Sequence, residues 1–310
     1  METLLDILLL FASIVLLWKG SDWLVESAAR IGRAVGMSDL TIGLTIVAFG
    51  TSAPEFAVTL SAAITGRSDI SVGNVVGSNI FNLGFILGGC ALFRALKTSR
   101  RIVLRDGGLL IVVSLLLLYM LRDSHLSRIE GGVLLFGLFA YLVVLFYQRK
   151  ETGGADEDIP TGRATWRDAP LFLAGLAGVI GGGHLLVVSA SDIARAMGIS
   201  EWVIAVTIVA AGTSAPEFAT SLTAAAKGRH GMSLGNLIGS DLFNLFGVLG
   251  VAGLVRDMNV APDAFSSVAM LVGMCVIVVV FMRTGWRISR LEGALLVAIG
   301  VLRWILDFLM

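Results

Sequence analysis

Most of this 310-residue chain consists of apolar stretches that are long enough to cross a lipid bilayer, since a spanning helix needs about 17–25 such residues. Hydrophobic residues make up 56% of the sequence and charged residues only 15%, whereas soluble domains carry about 25% charge. A soluble fold of this size could not bury so much apolar surface, so the sequence predicts an all-α membrane protein. The ten predicted transmembrane helices lie near residues 3–19, 40–65, 71–93, 103–121, 128–148, 170–194, 202–226, 232–254, 264–282 and 289–308.

Lysine and arginine residues are unevenly distributed between the connections that join these spans. When the connections are numbered from the N-terminus, the odd-numbered ones hold 17 of the 23 basic residues. Basic residues accumulate on the cytoplasmic side of membrane proteins, so both termini are predicted to be extracellular. The polar segment 149–167 joins the fifth and sixth spans and is predicted to be a solvated cytoplasmic linker. The net charge of zero does not indicate a nucleic-acid partner.

Two blocks of sequence recur at a constant offset of 162 residues. Residues 41–56 read TIGLTIVAFGTSAPEF and residues 203–218 read VIAVTIVAAGTSAPEF, with twelve of sixteen positions identical. Residues 73–82 (GNVVGSNIFN) match residues 235–244 (GNLIGSDLFN) in the same way. Each copy contains five predicted spans, and an odd number of crossings inverts the second copy in the membrane, as in many secondary transporters. The predicted domains are a first five-helix repeat, a linker and a second, inverted five-helix repeat at residues 1–148, 149–167 and 168–310.

Each copy of the first block places a proline and then a glutamate inside an apolar span. Proline removes a backbone hydrogen bond from a helix, so Pro54 and Pro216 should break their helices and free backbone carbonyls. Glu55 and Glu217 follow the prolines, and a carboxylate at this depth of the bilayer is costly and marks a functional site. Further side-chain oxygens in the two blocks belong to Thr51, Ser52, Thr213, Ser214, Ser78, Asn82, Ser240 and Asn244.

Carboxylate, hydroxyl, amide and carbonyl oxygens together predict a site for a hard cation. Calcium takes about 6–8 oxygen ligands and tolerates irregular geometry, and sodium is also an oxygen-seeking ion. The blocks contain no histidine or cysteine, which argues against zinc or copper. Asp241 breaks the repeat because its partner is Asn79. Three roles stay open for Asp241: a third acidic ligand, a proton carrier, or a carboxylate that is paired elsewhere in the bundle.

At these residues the sequence resembles the cation/calcium exchanger superfamily, especially its prokaryotic sodium/calcium exchangers. The resemblance covers essentially the whole chain and rests on both GTSAPEF copies and both GNxxGS blocks. It implies that Glu55 and Glu217 bind calcium and sodium, with the hydroxyl and amide residues named above as further ligands. Backbone carbonyl ligands are implied near Ala48 and Ala210. Some relatives have an aspartate at the position of Asn244. The implied location is a prokaryotic plasma membrane.

Charge balance gives a physical reason for ion exchange at such a site. One Ca²⁺ or two Na⁺ neutralise two ionised glutamates, and the two ions cannot occupy the same oxygens together. We therefore predict a secondary active antiporter that exchanges Na⁺ for Ca²⁺ by alternating access, functions as a monomer in the lipid bilayer and needs no cofactor. Buried glutamates also carry protons, so Ca²⁺/H⁺ antiport is an alternative, and a cation channel is the alternative from another class. The sequence lacks catalytic motifs such as H-E-x-x-H and G-x-S-x-G, so no enzyme activity is predicted.

Overall fold

The computed structural model describes residues 2–148, 162–198, 208 and 210–309. The described part of the chain is almost entirely helical. Its helices are α1 (Glu2–Ala34), α2 (Asp39–Thr51), α3 (Ala53–Ile64), α4 (Ser68–Phe93), α5 (Ile102–Asp123), α6 (Arg128–Gln148), α7 (Asp168–Ala196), α8 (Ala210–Thr213), α9 (Ala215–Ala226), α10 (His230–Val255), α11 (Asp263–Arg283) and α12 (Arg290–Leu309). Its strands are β1 (Leu96–Lys97), β2 (His125–Leu126), β3 (Met258–Asn259) and β4 (Arg287–Ile288).

Seven helices in the described ranges are long and apolar enough to cross a bilayer, namely α1, α4, α5, α6, α7, α10 and α11. Helices α2 and α3 meet at an angle of 50° and together form an eighth candidate span. The predicted all-α membrane fold is therefore confirmed. The two other predicted spans fall on α12 and on α8 with α9, and the start of the latter span, residues 202–207, lies outside the described residues.

Helices α1 and α7 form a closely packed pair. Helix α1 continues to Ala34, well past the predicted end of the first span at residue 19. The added turns carry polar side chains that find partners across the bundle, and Arg30 bonds to Asp168 at the start of α7 at 2.6 Å. Farther along the pair, a Cβ atom on Gly175 would lie 2.6 Å from the backbone nitrogen of Leu24. Only a glycine allows the two backbones to approach this closely.

Helices α4 and α10 form the centre of the bundle, and most of their residues are buried. Their C-terminal ends pack on helices from the other half of the chain. A Cβ atom on Gly88 of α4 would lie 2.8 Å from the carbonyl oxygen of Gly293 in α12. The repeat partner of Gly88 is Gly250 of α10, and a Cβ atom there would lie 2.9 Å from the backbone nitrogen of Leu135 in α6. Each half therefore completes its packing with a helix of the other half.

Short strands and nearby polar contacts group the connections into two sets. Strand β1 pairs with β4, and Arg94 beside β1 donates to the carbonyl of Ala226 at the end of α9 at 3.0 Å. Strand β2 pairs with β3, and Arg256 beside β3 donates to the carbonyl of Ile64 at the end of α3 at 3.4 Å. The two arginines are repeat partners, as are the two acceptors. We name the end with β1 and β4 the linker face, because segment 162–167 also reaches it, and the other end the opposite face.

Candidate cation site

Both predicted helix breaks are present in the structure, and each occurs at a serine. Ser52 separates α2 from α3 with φ −80° and ψ 10°, and Ser214 separates α8 from α9 with φ −88° and ψ 8°. The prolines that follow lie in the first turn of α3 and α9, where a missing N–H removes no helical hydrogen bond. Glu55 and Glu217 therefore also lie in the first turns of these helices.

The two glutamate carboxylates are buried, and a serine from the other half of the chain binds each of them. Glu55 is 1% exposed and Glu217 is fully buried. The Ser214 hydroxyl donates to Glu55 Oε1 at 3.1 Å, and the Ser52 hydroxyl donates to Glu217 Oε1 at 3.0 Å. The two hydrogen bonds are equivalent, because Ser52 and Ser214 are repeat partners and so are Glu55 and Glu217. The helix breaks and glutamates of both halves therefore form one cluster.

The central helices α4 and α10 contribute a second group of polar side chains to this region. Ser78 and Asn82 of α4, and Ser240 and Asn244 of α10, are at most 5% exposed. The two asparagines each begin a five-residue π-helical turn, a wider turn that often occurs at functional sites. Ser240 lies beside the Glu217 carboxylate. The structure thus brings the serines and asparagines of the second block to the buried centre of the bundle.

Six buried oxygens of the cluster have no hydrogen-bond partner among the described residues. An unpaired buried polar atom costs about 1–3 kcal/mol, and carboxylate and amide oxygens can only accept hydrogen bonds. A bound cation would satisfy such oxygens, and a Ca²⁺ ion takes about 6–8 of them. The donor set therefore fits a hard cation. The six atoms are Glu55 Oε2, Glu217 Oε2, Asn82 Oδ1, Asn244 Oδ1, Ser240 Oγ and Asp241 Oδ2.

The two predicted threonine ligands lie next to the glutamates. Thr51 lies beside Glu217, and its hydroxyl donates to Asn236 Oδ1 on α10 at 3.2 Å. Thr213 is half-buried and lies beside Glu55. Both threonines are therefore part of the cluster, although the Thr51 hydroxyl is directed at an amide that the sequence did not single out.

The two predicted carbonyl ligands lie on the helical turn before each break. The carbonyl of Ala48 accepts a hydrogen bond from the Ser52 N–H at 3.1 Å. The Thr51 hydroxyl lies 3.4 Å from the same oxygen, so the second lone pair is available to a cation when this hydroxyl donates to Asn236 instead. Ala210 is the first residue of α8, which places its carbonyl at the matching position in the second half.

Asn74 and Asn236 hold the glutamate-bearing helices in place, and the sequence analysis did not identify them. Asn74 Nδ2 donates to Thr59 Oγ1 at 2.9 Å and to the Glu55 carbonyl at 3.3 Å. Asn236 Nδ2 makes the equivalent contacts in the second half. It donates to Ser221 Oγ at 2.8 Å and to the Glu217 carbonyl at 3.4 Å. The sequence does contain a signal for them, because both GNxxGS blocks have an asparagine at the second position.

Comparison with known proteins identifies the family of this arrangement. The family described as sodium/calcium exchanger protein matches residues 5–147 and 169–302. The chain belongs to the sodium/calcium exchanger family. CaxA of Alkalimonas amylolytica is 36% identical over 301 residues, which cover 94% of each chain. Sodium/calcium exchanger MaX1 of Methanosarcina acetivorans is 32% identical over 336 residues, which cover 94% of this chain and 95% of MaX1.

The fold also matches a solved structure of a family member. The sodium-calcium exchanger NCX_Mj, soaked with zero Na⁺ and Ca²⁺, superposes with a TM-score of 0.86 and 31% sequence identity. The match covers 97% of this chain and 98% of NCX_Mj. The resemblance noted in the sequence is therefore confirmed, and this chain is a helical membrane antiporter of the sodium/calcium exchanger family.

Proposed function

We propose that this chain is a secondary active antiporter that exchanges Na⁺ for Ca²⁺ by alternating access. The observation that carries the proposal is the pair of buried glutamates, each bound by a serine of the other half and each with a second oxygen that has no hydrogen-bond partner in the described part of the chain. MaX1 and NCX_Mj, which align with nearly the whole chain, are both named as sodium/calcium exchangers.

The exchange follows from competition for the same oxygens. Two ionised carboxylates in a water-poor centre repel each other strongly, so the empty site is costly and a loaded site is favoured. One Ca²⁺ or two Na⁺ neutralise Glu55 and Glu217, so either load permits the change between the outward-open and inward-open states. Ca²⁺ and Na⁺ are thus substrates of the site. Because both halves contribute to one site within one chain, the monomer is the transporting unit.

The membrane arrangement that we propose is ten transmembrane helices in two inverted repeats, with both termini outside a prokaryotic plasma membrane. Two observations support it. The linker face unites odd-numbered connections, whereas the opposite face unites even-numbered ones. The odd-numbered connections also hold most basic residues, which accumulate on the cytoplasmic side.

Cysteine labelling tests this orientation. Arg100 is exposed on the linker face and Arg128 is exposed on the opposite face. An impermeant maleimide should label Arg100→Cys only from the cytoplasm and Arg128→Cys only from outside, whereas the native Cys90 and Cys275 are buried. The reverse labelling pattern would contradict the orientation.

Calcium uptake into proteoliposomes tests the proposed exchange. An outward Na⁺ gradient should drive Ca²⁺ uptake, while protein-free liposomes under the same gradient should take up none. Uptake driven only by a proton gradient would instead establish Ca²⁺/H⁺ antiport, which protonation of the same carboxylates would allow. Uptake that needs no counter-ion gradient would indicate a channel.

A further inference from the structure

Four side chains of the central helices form a hydrogen-bonded network that the exchange proposal does not use. Asn82 Nδ2 donates to Asp241 Oδ1 at 2.9 Å, and Asn244 Nδ2 donates to Asn79 Oδ1 at 3.1 Å. Asn79 Nδ2 also donates to the backbone carbonyl of Asp241 at 3.0 Å. The first two hydrogen bonds are related by the repeat offset of 162 residues. The network therefore joins α4 to α10 with approximate two-fold symmetry.

These hydrogen bonds determine the orientation of two amide groups. Asn82 and Asn244 each use the NH₂ group toward the network, and their amide oxygens have no hydrogen-bond partner among the residues that the structure describes. A carboxylate only accepts hydrogen bonds, so Asp241 can bind the NH₂ group of Asn82 but not its oxygen. Reversal of the Asn82 amide would place two acceptors against each other. Asp241 thus keeps Oδ1 of Asn82 available as a cation ligand.

The two sides of the network differ in charge and in the hydrogen bond that Asn79 Nδ2 donates. Asp241 is an acid and its repeat partner Asn79 is a neutral amide of nearly the same shape. Asp241 is fully buried, and its hydrogen bonds come from amides, with no basic side chain bonded to it among the described residues. Its Oδ2 atom has no hydrogen-bond partner within the described ranges, and the carboxyl group lies within electrostatic reach of Glu217. The centre of the bundle therefore holds a third carboxyl group on the α10 side only.

We infer that Asp241 is a positioning and selectivity-determining residue: it orients the Asn82 amide and supplies a third negative charge that favours divalent over monovalent cations. The inference rests on the proposed function only in that the site binds Ca²⁺ and Na⁺. The Coulomb energy is proportional to the charge of the ion. One additional negative charge at a fixed distance therefore stabilises one bound Ca²⁺ by twice as much free energy as it stabilises each individual Na⁺.

Asp241→Asn separates the two roles, because asparagine can still accept the hydrogen bond of Asn82 but carries no charge. Ca²⁺ and Na⁺ should be titrated separately into the purified full-length protein in detergent, with heat as the readout. We expect the Ca²⁺ dissociation constant to rise about tenfold and that of Na⁺ by about the square root of this factor, roughly threefold. A merely structural role would weaken both ions equally.

The double variant Asp241→Asn with Asn79→Asp is the matched control, because it moves the charge to the repeat-related position and keeps the total. It should restore the ratio of the two dissociation constants to the wild-type value. Unchanged dissociation constants in Asp241→Asn, or an equal loss for both ions, would overturn the inference. If Asp241→Asn does not fold, Asn79→Asp alone provides the test: it should strengthen Ca²⁺ binding more than Na⁺ binding, and an unchanged ratio would overturn the inference.

Binding and transport failures can be distinguished in this design. A wild-type chain that binds Ca²⁺ but shows no Na⁺-driven uptake would contradict the exchange proposal, and the variant comparison would still decide the role of Asp241. A wild-type chain that binds neither ion would overturn both.

Discussion

The two halves of the chain are nearly identical around the glutamates and differ at the ends of the bundle. At the centre, the hydrogen bond from Ser52 to Glu217 is 3.0 Å long and the bond from Ser214 to Glu55 is 3.1 Å long. The asparagines that hold the two glutamate-bearing helices make matching pairs of contacts. Near the centre, the two halves differ in charge within the hydrogen-bonded network, where Asp241 of the second half corresponds to Asn79 of the first.

At the ends of the bundle, repeat-related residues have different surroundings. Arg229 on the linker face is 6% exposed and donates to the buried carboxylate of Asp39 at 2.8 Å. Its repeat partner Arg67 lies exposed on the opposite face. The same residue type therefore serves as a buried ion-pair partner in one half and as a solvated side chain in the other.

The comparison shows where symmetry is needed. In the proposed exchange, a cation that is reached in turn from each side of the membrane is bound by both halves, so equivalent oxygens are needed at the centre. In the proposed membrane arrangement, the ends of the bundle face different compartments and need only to fold, so their contacts are free to diverge. Variants of repeat-related pairs can therefore test the site and the periphery separately.

Glu55→Gln and Glu217→Gln should give the largest effect, and it should be the same in both halves. Glutamine keeps the size of the side chain and an oxygen for the serine, but it removes one of the charges that balance a divalent ion. We expect Na⁺-driven Ca²⁺ uptake to fall by about 100-fold or more in either variant, because an uncompensated charge is costly at low dielectric. Uptake should be measured in proteoliposomes at equal protein amounts.

Glu130 and Glu292 provide a matched control for these variants. They are repeat partners outside the site, and each accepts a hydrogen bond from the backbone N–H of a serine at the start of α6 or α12. Glutamine can keep this cap, so Glu130→Gln and Glu292→Gln should transport normally. Near-normal uptake in only one of the two site variants would show that Glu55 and Glu217 are not equivalent in transport.

Arg229→Met should destabilise the protein far more than Arg67→Met. Removal of one partner of a buried ion pair costs about 3–5 kcal/mol, and Arg33 continues to bond to Asp39 at 3.2 Å, so we expect a loss at the lower end, about 3 kcal/mol. The exposed Arg67 should change the free energy of unfolding by less than about 0.5 kcal/mol. Thermal unfolding in detergent measures both values. Equal losses would mean that burial of the Arg229 ion pair adds nothing to stability.

Ser52→Ala and Ser214→Ala should weaken Ca²⁺ binding by similar factors. Each removes a hydroxyl that contacts a carboxylate across the repeat, and a hydrogen bond to a charged group is worth about 1.5–3 kcal/mol. We expect the half-saturating Ca²⁺ concentration for uptake to rise about tenfold in each variant. Ser114→Ala is a suitable control, because this buried serine bonds to the Leu110 carbonyl within its own helix. A large effect in only one site variant would show that one half dominates binding.

The sequence was sufficient to predict the helix breaks and to single out polar residues that the structure brings together. The offset of 162 residues identified Ser52, Ser214 and both glutamates, because a recurring polar pattern inside apolar spans requires an explanation. The sequence could not show that each serine bonds to the glutamate of the other half. That pairing depends on how the two repeats meet in space, which no local pattern encodes.

The sequence did not reveal the roles of Asn74 and Asn236, because polar residues of this kind also occur in membrane helices without a functional role. A single asparagine in a membrane helix is usually a packing contact, so the roles of Asn74 and Asn236 became visible only with their bonds to the glutamate backbone. Gly235 and Gly239 of α10 allow a close approach to α2, since Cβ atoms there would lie 2.6–2.7 Å from backbone atoms of α2. The repeat partners of Leu40 and Leu44 of α2, residues 202 and 206, lie outside the described residues.

The smallest expected effect concerns an ion-pair cluster on the linker face. Lys227 at the end of α9 bonds to both Asp22 and Glu26 of α1. The side chains of the two acids are 36% and 44% exposed, so solvent weakens these pairs. No acid lies at the repeat-related positions on the opposite face, which hold Thr65, His184 and Val188.

Lys227→Thr copies the residue of the other half and should lower the free energy of unfolding by no more than about 1 kcal/mol, the range of partly exposed ion pairs. The loss should shrink further in high salt, because salt screens exposed charges. Thr65→Lys is the reciprocal variant, and it should add no stability, since the positions that would pair with it are occupied by His184 and Val188. Unfolding temperatures of both variants, measured at low and high salt, test this difference between the two faces. A loss in Lys227→Thr that does not depend on salt would mean that Lys227 acts through packing of its aliphatic stem, and a gain in Thr65→Lys equal to that loss would mean that the two faces are not electrostatically different.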